Sequence, residues 1–163
     1  GGGDCTASHG FVPVVSLNLR GSINADGLLL DPWQNPYRYS VATFNTISGR
    51  AFTTSAGLNW LFNNNALSVD PTMLRICDND ACSGVISADM VPAVVLSMGE
   101  NWASFTSANE TRNAGETTEG VYPITNTNDF VVTTYAQDLY DDMVIWLSPF
   151  VLYNKLTTAG QLP

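Results

Sequence analysis

The sequence predicts an α+β domain, a mainly antiparallel β-sheet closed by a short C-terminal helix. Short runs rich in strand formers recur along the chain, separated by Asn, Asp, Gly and Ser clusters that suit turns. One helix-like stretch stands at the end, between a Ser-Pro start and a Gly stop. With 163 residues, 45% of them apolar, the chain can bury one core, and residues 1–163 read as a single domain. Within it, residues 1–36 form a connecting region, 37–147 the sheet and its loops, and 148–163 the C-terminal helix and tail.

Taken in order, Gly1 to Pro36 has Gly, Pro and Asn punctuation and no lasting period, so it reads as a loop with a short strand or helical turn near Val14 to Leu19. It ends in Asp31-Pro32-Trp33-Gln34-Asn35-Pro36, where two prolines bracket a Trp. They force an extended or turning backbone and lay a large ring on whatever lies beneath. Tyr37 to Phe44 alternates, with Tyr37, Tyr39, Val41 and Thr43 on one face and Arg38, Ser40, Ala42 and Phe44 on the other, which predicts a strand. Shorter strands are expected at Met73 to Cys77, Ala93 to Met98, Phe130 to Tyr135 and Met143 to Leu147. Two polar stretches, Ser48 to Asn65 and Asn101 to Asn128, lie between them, and the second reads as a long surface loop or a disordered segment. In the final stretch Ser148 is a good N-cap and Pro149 suits the first helical position. Leu152, Leu156 and Ala159 keep an i, i+4, i+7 stripe, and Gly160 is placed to end the helix.

Charge argues against nucleic acid as a partner. The six basic residues are scattered singly among fifteen carboxylates, giving a formal charge of −9 and no basic stripe to track a phosphate backbone. The same balance would repel an anionic membrane surface and favour solubility. No apolar run approaches the roughly 18 to 20 residues of a spanning helix. The opening Gly1-Gly2-Gly3 reads as a linker or a tag scar, and the expectation is that a natural N-terminal segment has been cut away.

Three cysteines are present. Cys77 and Cys82 enclose Asp78-Asn79-Asp80-Ala81, a turn short enough to bring them into bonding range. A Cys77–Cys82 disulfide would imply a periplasmic or extracellular domain, with Cys5 left over or parted from its natural partner. The rival reading is a set of buried reduced thiols. A zinc site is disfavoured, because one His and no second paired-Cys motif do not supply four ligands.

Catalytic signals are weak, and no enzyme is expected. The only His, His9, stands beside Ser8 in a Gly-flanked opening segment, and a catalytic base must be held by a third group. Among fifteen carboxylates some pair falls within glycosidase distance by accident, so only a cleft would make such a pair convincing. No Gly-rich phosphate loop follows a strand, and no nucleotide cofactor is expected. Asp138, Asp141 and Asp142 before Met143, and Asp78 and Asp80 inside the cysteine turn, could offer oxygens to a hard cation such as calcium. Neither group matches a calcium-loop pattern, and a solvated turn is the plainer account.

Three segments, in order, resemble the prepilin-type family of type IV pilins and pseudopilins. Asp31-Pro32-Trp33-Gln34-Asn35-Pro36-Tyr37-Arg38-Tyr39 is similar to the Asp-x-Trp-Gly-Asn-Pro-x-x-Tyr stretch leading into the first sheet strand, with Gln34 where Gly is usual. Val91-Pro92-Ala93-Val94-Val95-Leu96-Ser97-Met98-Gly99-Glu100-Asn101 is similar to the strand ending in Ser-x-Gly-Lys-Asn, with Glu100 replacing the basic residue. Tyr140-Asp141-Asp142-Met143-Val144-Ile145-Trp146-Leu147-Ser148-Pro149, with Tyr153-Asn154 and Ala159-Gly160-Gln161-Leu162-Pro163, resembles the C-terminal end.

The resemblance implies a pilin-like antiparallel head whose long N-terminal helix, normally packed against the sheet, is truncated or mostly missing here. It implies a structural subunit, a major or minor type IV pilin acting in adhesion, motility or DNA uptake, with a type II secretion pseudopilin as the sister reading. Other pilin subunits would be partners in the filament through the missing helix, which would also be the only membrane contact. The isolated head is expected to be monomeric and extracellular or periplasmic. From a different class, a secreted carbohydrate-binding module or adhesin would use Trp33, Trp60 or Trp102 as a stacking platform, whereas in the pilin reading these rings are mostly core. A small secreted hydrolase would need a carboxylate pair in a cleft.

Overall fold

The structure, a computed structural model, describes residues 9–42, 73–84, 86–115, 128–137 and 139–160. In chain order its elements are β1 (His9–Phe11), β2 (Arg38–Val41), β3 (Leu74–Cys77), β4 (Ile86–Val91), β5 (Ala93–Ser97), α1 (Ala108–Ala114), β6 (Asp129–Val131), β7 (Met143–Leu147) and α2 (Pro149–Thr158). The mixed α and β character expected from the sequence is therefore present.

The strands divide between two sheets. A four-stranded sheet of order β1-β2-β5-β7 is antiparallel throughout. A three-stranded sheet of order β4-β3-β6 pairs β3 antiparallel with β4 and parallel with β6. The parallel pair departs from the single mainly antiparallel sheet anticipated. It is possible because a long crossover separates its strands, and it is fixed in register by charge: Arg75 lies opposite Asp129, and its guanidinium donates to both carboxylate oxygens at 2.7 and 2.8 Å.

One cluster of buried apolar side chains draws on both sheets: Leu74 and Ile76 from β3, Val91 from β4, Val94 and Leu96 from β5, and Phe130 from β6. Each contributes on the order of 1.5–3 kcal/mol by leaving water. Strand β2 turns its polar residues inward. Arg38, Ser40 and Ala42 are buried, while Tyr39 and Val41 are only half covered. The alternation seen in the sequence is real, with Ala42 in the apolar core and Val41 packed against its margin.

β7 has the predicted bounds, and β5 ends one residue before the expected Met98. The strand expected over Phe130 to Tyr135 begins at Asp129 and ends at Val131. Beyond it the chain turns, with the Ala136 and Tyr140 amides and carbonyls paired. β4 escapes a pattern reading because its ladder with β3 is irregular and Met90 lies at φ 54°. Val14 to Leu19 forms successive turns, the Leu17 N–H reaching the Pro13 carbonyl and the Leu19 N–H that of Val14. Helix α2 starts after Ser148, whose carbonyl accepts the Leu152 N–H, although its hydroxyl makes no cap bond. Leu152 and Leu156 are half-buried, Leu152 against the core, while Ala159 is exposed and so not part of the packed stripe. Among the described residues no helix is long and apolar enough to cross a membrane.

Candidate functional site

The Asp31 segment folds into a tight turn held by its own side chains. Asp31 Oδ1 accepts the N–H groups of Trp33 (3.0 Å) and Asn35 (2.8 Å), and its main-chain carbonyl accepts the Gln34 N–H at 3.0 Å. The turn is then anchored to the end of β5. The Ser97 hydroxyl donates to Asp31 Oδ2, and Asn35 Nδ2 donates to the Gly99 carbonyl at 2.6 Å. Gln34 sits at φ 71°, in the left-handed region where a side chain is strained and glycine is not.

The stretch before β7 meets the same corner. The Glu100 N–H donates to Asp141 Oδ2 at 2.6 Å. Gly99, at φ 68°, lies so close under the Asp141 carboxylate that a Cβ there would collide with it. The three segments that carry the family resemblance thus converge in space, each bonded to the next.

Helix α1 supplies the fourth wall. Its N-cap Ser107 accepts the Glu110 N–H at 3.2 Å, and Gly115 ends it at φ 81°. The Glu110 side chain is fully buried rather than reaching back to the cap. Its Oε1 accepts Asn101 Nδ2 (3.1 Å) and the Asp141 N–H (3.2 Å). One turn on, Asn113 bonds the β6 edge as a strand would, its Oδ1 taking the Val131 N–H at 2.6 Å and its Nδ2 reaching the Val131 carbonyl at 3.1 Å. The same Nδ2 donates to Asp142 Oδ2 at 2.8 Å. The Tyr140 hydroxyl, whose pKa burial pushes up, donates to the Val131 carbonyl at 2.6 Å.

Three acids meet inside this frame. One carboxylate oxygen from each of Glu110, Asp141 and Asp142 lies within 4.8 Å of the others. Burial, reinforced by the charges of Glu110 and Asp141, pushes the Asp142 carboxyl up to about 8, against the opposing pull of the Asn113 hydrogen bond and the Arg38 charge. Arg38, itself 4% exposed, holds its guanidinium 5.9 Å from the centre of the Trp102 ring. Neighbouring buried carboxylates have to share a proton or a cation to coexist.

A second charged cluster fastens β3, β6 and α1 together. Asp129 takes both Arg75 donors and a further hydrogen bond from Arg112 Nη2. Burial alone would raise its pKa, but the hydrogen bonds from Arg75 and Arg112 outweigh burial and hold it below the usual carboxylate range. Beside it Cys77, fully buried at the end of β3, is joined to Cys82 in a disulfide with the Cα atoms 5.2 Å apart. Of the two cysteine readings the bridge is the one observed.

The remaining sequence candidates are dispersed. Asp141 and Asp142 come together with Glu110, a residue the sequence reading did not single out, whereas Asp138, Cys5 and Trp60 lie outside the described residues. Asp78 and Asp80 form a turn at the surface, where Asn79 Nδ2 donates to Asp78 Oδ1 (2.6 Å) and the Asp80 N–H to Asn109 Oδ1 (2.9 Å). His9 lies in β1 with Nδ1 2.7 Å from the Ser40 hydroxyl, and burial lowers its pKa. Among the described residues no carboxylate is hydrogen-bonded to it, so the third member of a triad is not supplied. Trp102 carries Arg38 and is half-buried, while Trp33 is partly exposed on its turn.

The stretch read as a long loop, Asn101 to Asn128, thus contains α1 and two of its most buried polar residues; positions 116–127 lie outside the described residues. The signal was there: Ser107-Ala108-Asn109-Glu110 has capping-box spacing, and Gly115 follows as a stop. Comparison of the chain with protein families, with curated proteins and with solved structures gives no match.

Proposed function

We propose that this chain is the head of a prepilin-type filament subunit, a type IV pilin or, in the sister reading, a type II secretion pseudopilin. The observation that carries the proposal is the outer face of the four-stranded sheet. Register places Tyr39 beside Val95 and Val95 beside Ile145, with Ala93 beside Leu147 and Met143 at the far end. Val95 is 38%, Met143 48% and Ile145 66% exposed. β2 adds the half-covered Tyr39 to this face, and contiguous exposed apolar surface of this kind marks an interaction site. An amphipathic helix laid across the sheet, as the family resemblance implies, would bury these side chains. Full burial stabilises by about 1.5–3 kcal/mol for each fully exposed residue of this kind, and proportionately less here because they start partly covered.

The convergence of the three resembling segments into one bonded corner supports the same reading. The test is to express the intact gene in its native host, shear the cells and blot the sheared filaments and the cell fraction. Recovery in filaments that depend on an N-terminal helix supports a pilin, and confinement to the cell envelope supports a pseudopilin. Release as free protein without a processed helix would sink both. Replacing Ile145 with Asp should abolish incorporation while leaving the far-UV spectrum of the isolated head unchanged.

A further inference from the structure

We infer that the cleft between the cysteine turn and α1 binds a small zwitterion of the α-amino acid class, with Asp80 taking its ammonium and Arg112 its carboxylate. The cleft has a volume of about 340 Å³, at the small end of the roughly 300–1,000 Å³ of small-molecule sites, and is lined by Asp80, Thr106, Ala108, Thr111 and Arg112. Ala108, Thr111 and Arg112 stand at i, i+3 and i+4, so one side of α1 forms a wall. Asp80 borders the cleft from the turn that the Cys77–Cys82 disulfide closes. Its N–H donates to Asn109 Oδ1 at 2.9 Å, which ties the turn to α1 and fixes the cleft before any ligand arrives.

The polar groups have the right sense. Thr111 Oγ1 donates its hydrogen to the Ser107 carbonyl at 2.9 Å, so the same oxygen is left with acceptor capacity, which suits an ammonium group. Arg112 is held by Asp129, and a guanidinium carries five donors in a planar fork suited to a carboxylate. Asp129 also takes two hydrogen bonds from Arg75, so it stays paired while Arg112 shares its charge with a ligand. The lining carries one acid and one arginine: Asp80 disfavours a lone anion and Arg112 a lone cation, whereas a zwitterion meets both. Among the described residues that line the cleft, no aromatic ring offers a platform for stacking a sugar or a base. This site is independent of the subunit reading.

The experiment is a titration of the nitrogen-labelled protein with L-alanine or L-leucine, followed by amide chemical shifts, with acetate, ethylammonium chloride and glucose as controls. Because both charges meet the ligand at a wet surface, we expect a Kd of about 0.1–1 mM, with shifts confined to the cysteine turn and α1. Acetate and ethylammonium each reproduce half of the zwitterion. They should bind at least about tenfold more weakly, the low end for loss of a hydrogen bond to a charged group. Asp80→Asn, at an exposed position, should weaken L-alanine binding by a similar factor of about ten, and the same spectra report that the variant is folded. Absence of shifts up to about 10 mM amino acid, tenfold above the weakest affinity expected, overturns the site. So does binding of acetate or glucose as tight as that of the amino acid, or a folded Asp80→Asn protein that binds it unchanged.

Discussion

Replacing Gln34 with Gly should make this protein more stable, an uncommon direction for a substitution. Gln34 holds φ 71° between Trp33 and Asn35, and its side chain is exposed, so little contact is lost on truncation. The left-handed region costs an L-residue about 1–2 kcal/mol, which glycine escapes. Against that gain, glycine loosens the unfolded chain by about 0.4–1 kcal/mol. The net is a stabilisation of about 0.5–1 kcal/mol, equivalent to a Tm higher by about 1–4 °C for a chain of this size. Scanning calorimetry with a matching urea series measures both quantities. Gln34→Ala keeps the strained backbone and should fall within about 0.5 kcal/mol of the parent, while Gln34→Val, stiff at χ1, should fall below it. If the glycine variant is no more stable than the alanine one, the backbone explanation for the turn is wrong.

Three further outcomes follow from the same geometry. Reducing the Cys77–Cys82 bridge, which closes a sequence separation of 5, should cost about 2 kcal/mol by chain entropy and lower Tm by about 4–8 °C; mass spectrometry after alkylation, with and without reductant, confirms the state of the thiols. Asp129→Ala should cost about 2–3 kcal/mol in urea unfolding, less than a wholly buried pair because Arg75 and Arg112 stay partly hydrated. Because the folded pKa of Asp129 lies below its unfolded value, that difference should be present above about pH 4 and shrink only as pH falls through the folded value. Asp142 has the opposite sign: with its folded pKa near 8 and its unfolded value near 3.8, the folded state holds a proton the unfolded state releases. Stability should therefore fall as pH rises through that window, and Asp142→Asn should flatten the slope seen in urea midpoints.

Much of the sheet was legible because strand chemistry is local. Met143 to Leu147 and Ala93 to Ser97 are uncharged and rich in β-branched or aromatic residues, and each lies within a residue of its expected place. What escaped depends on partners far along the chain. β4 contains Asp89 and an irregular register, so no clean alternation marks it, and β6 is short because it is completed by Asn113 rather than by more strand. The acidic corner was half legible. Asp141 and Asp142 stood out as neighbours, but Glu110 belongs to a polar stretch whose burial comes from packing beneath the β5 turn, and composition alone reads such a stretch as solvated.

The strand order β1-β2-β5-β7 also bears on how the chain folds. β5 waits for β7, which lies 46 residues downstream of it in sequence from Ser97 to Met143, and until then Ala93-Val94-Val95-Leu96 presents a bare, uncharged edge. At synthesis rates of about 5–20 residues per second that edge would be open for seconds. Pairings this distant also slow folding itself, because the loop must close before any ladder bond rewards it. A chain interrupted within those residues would carry an adhesive strand with no neighbour. The nascent protein should therefore be most prone to aggregate just before β7 emerges.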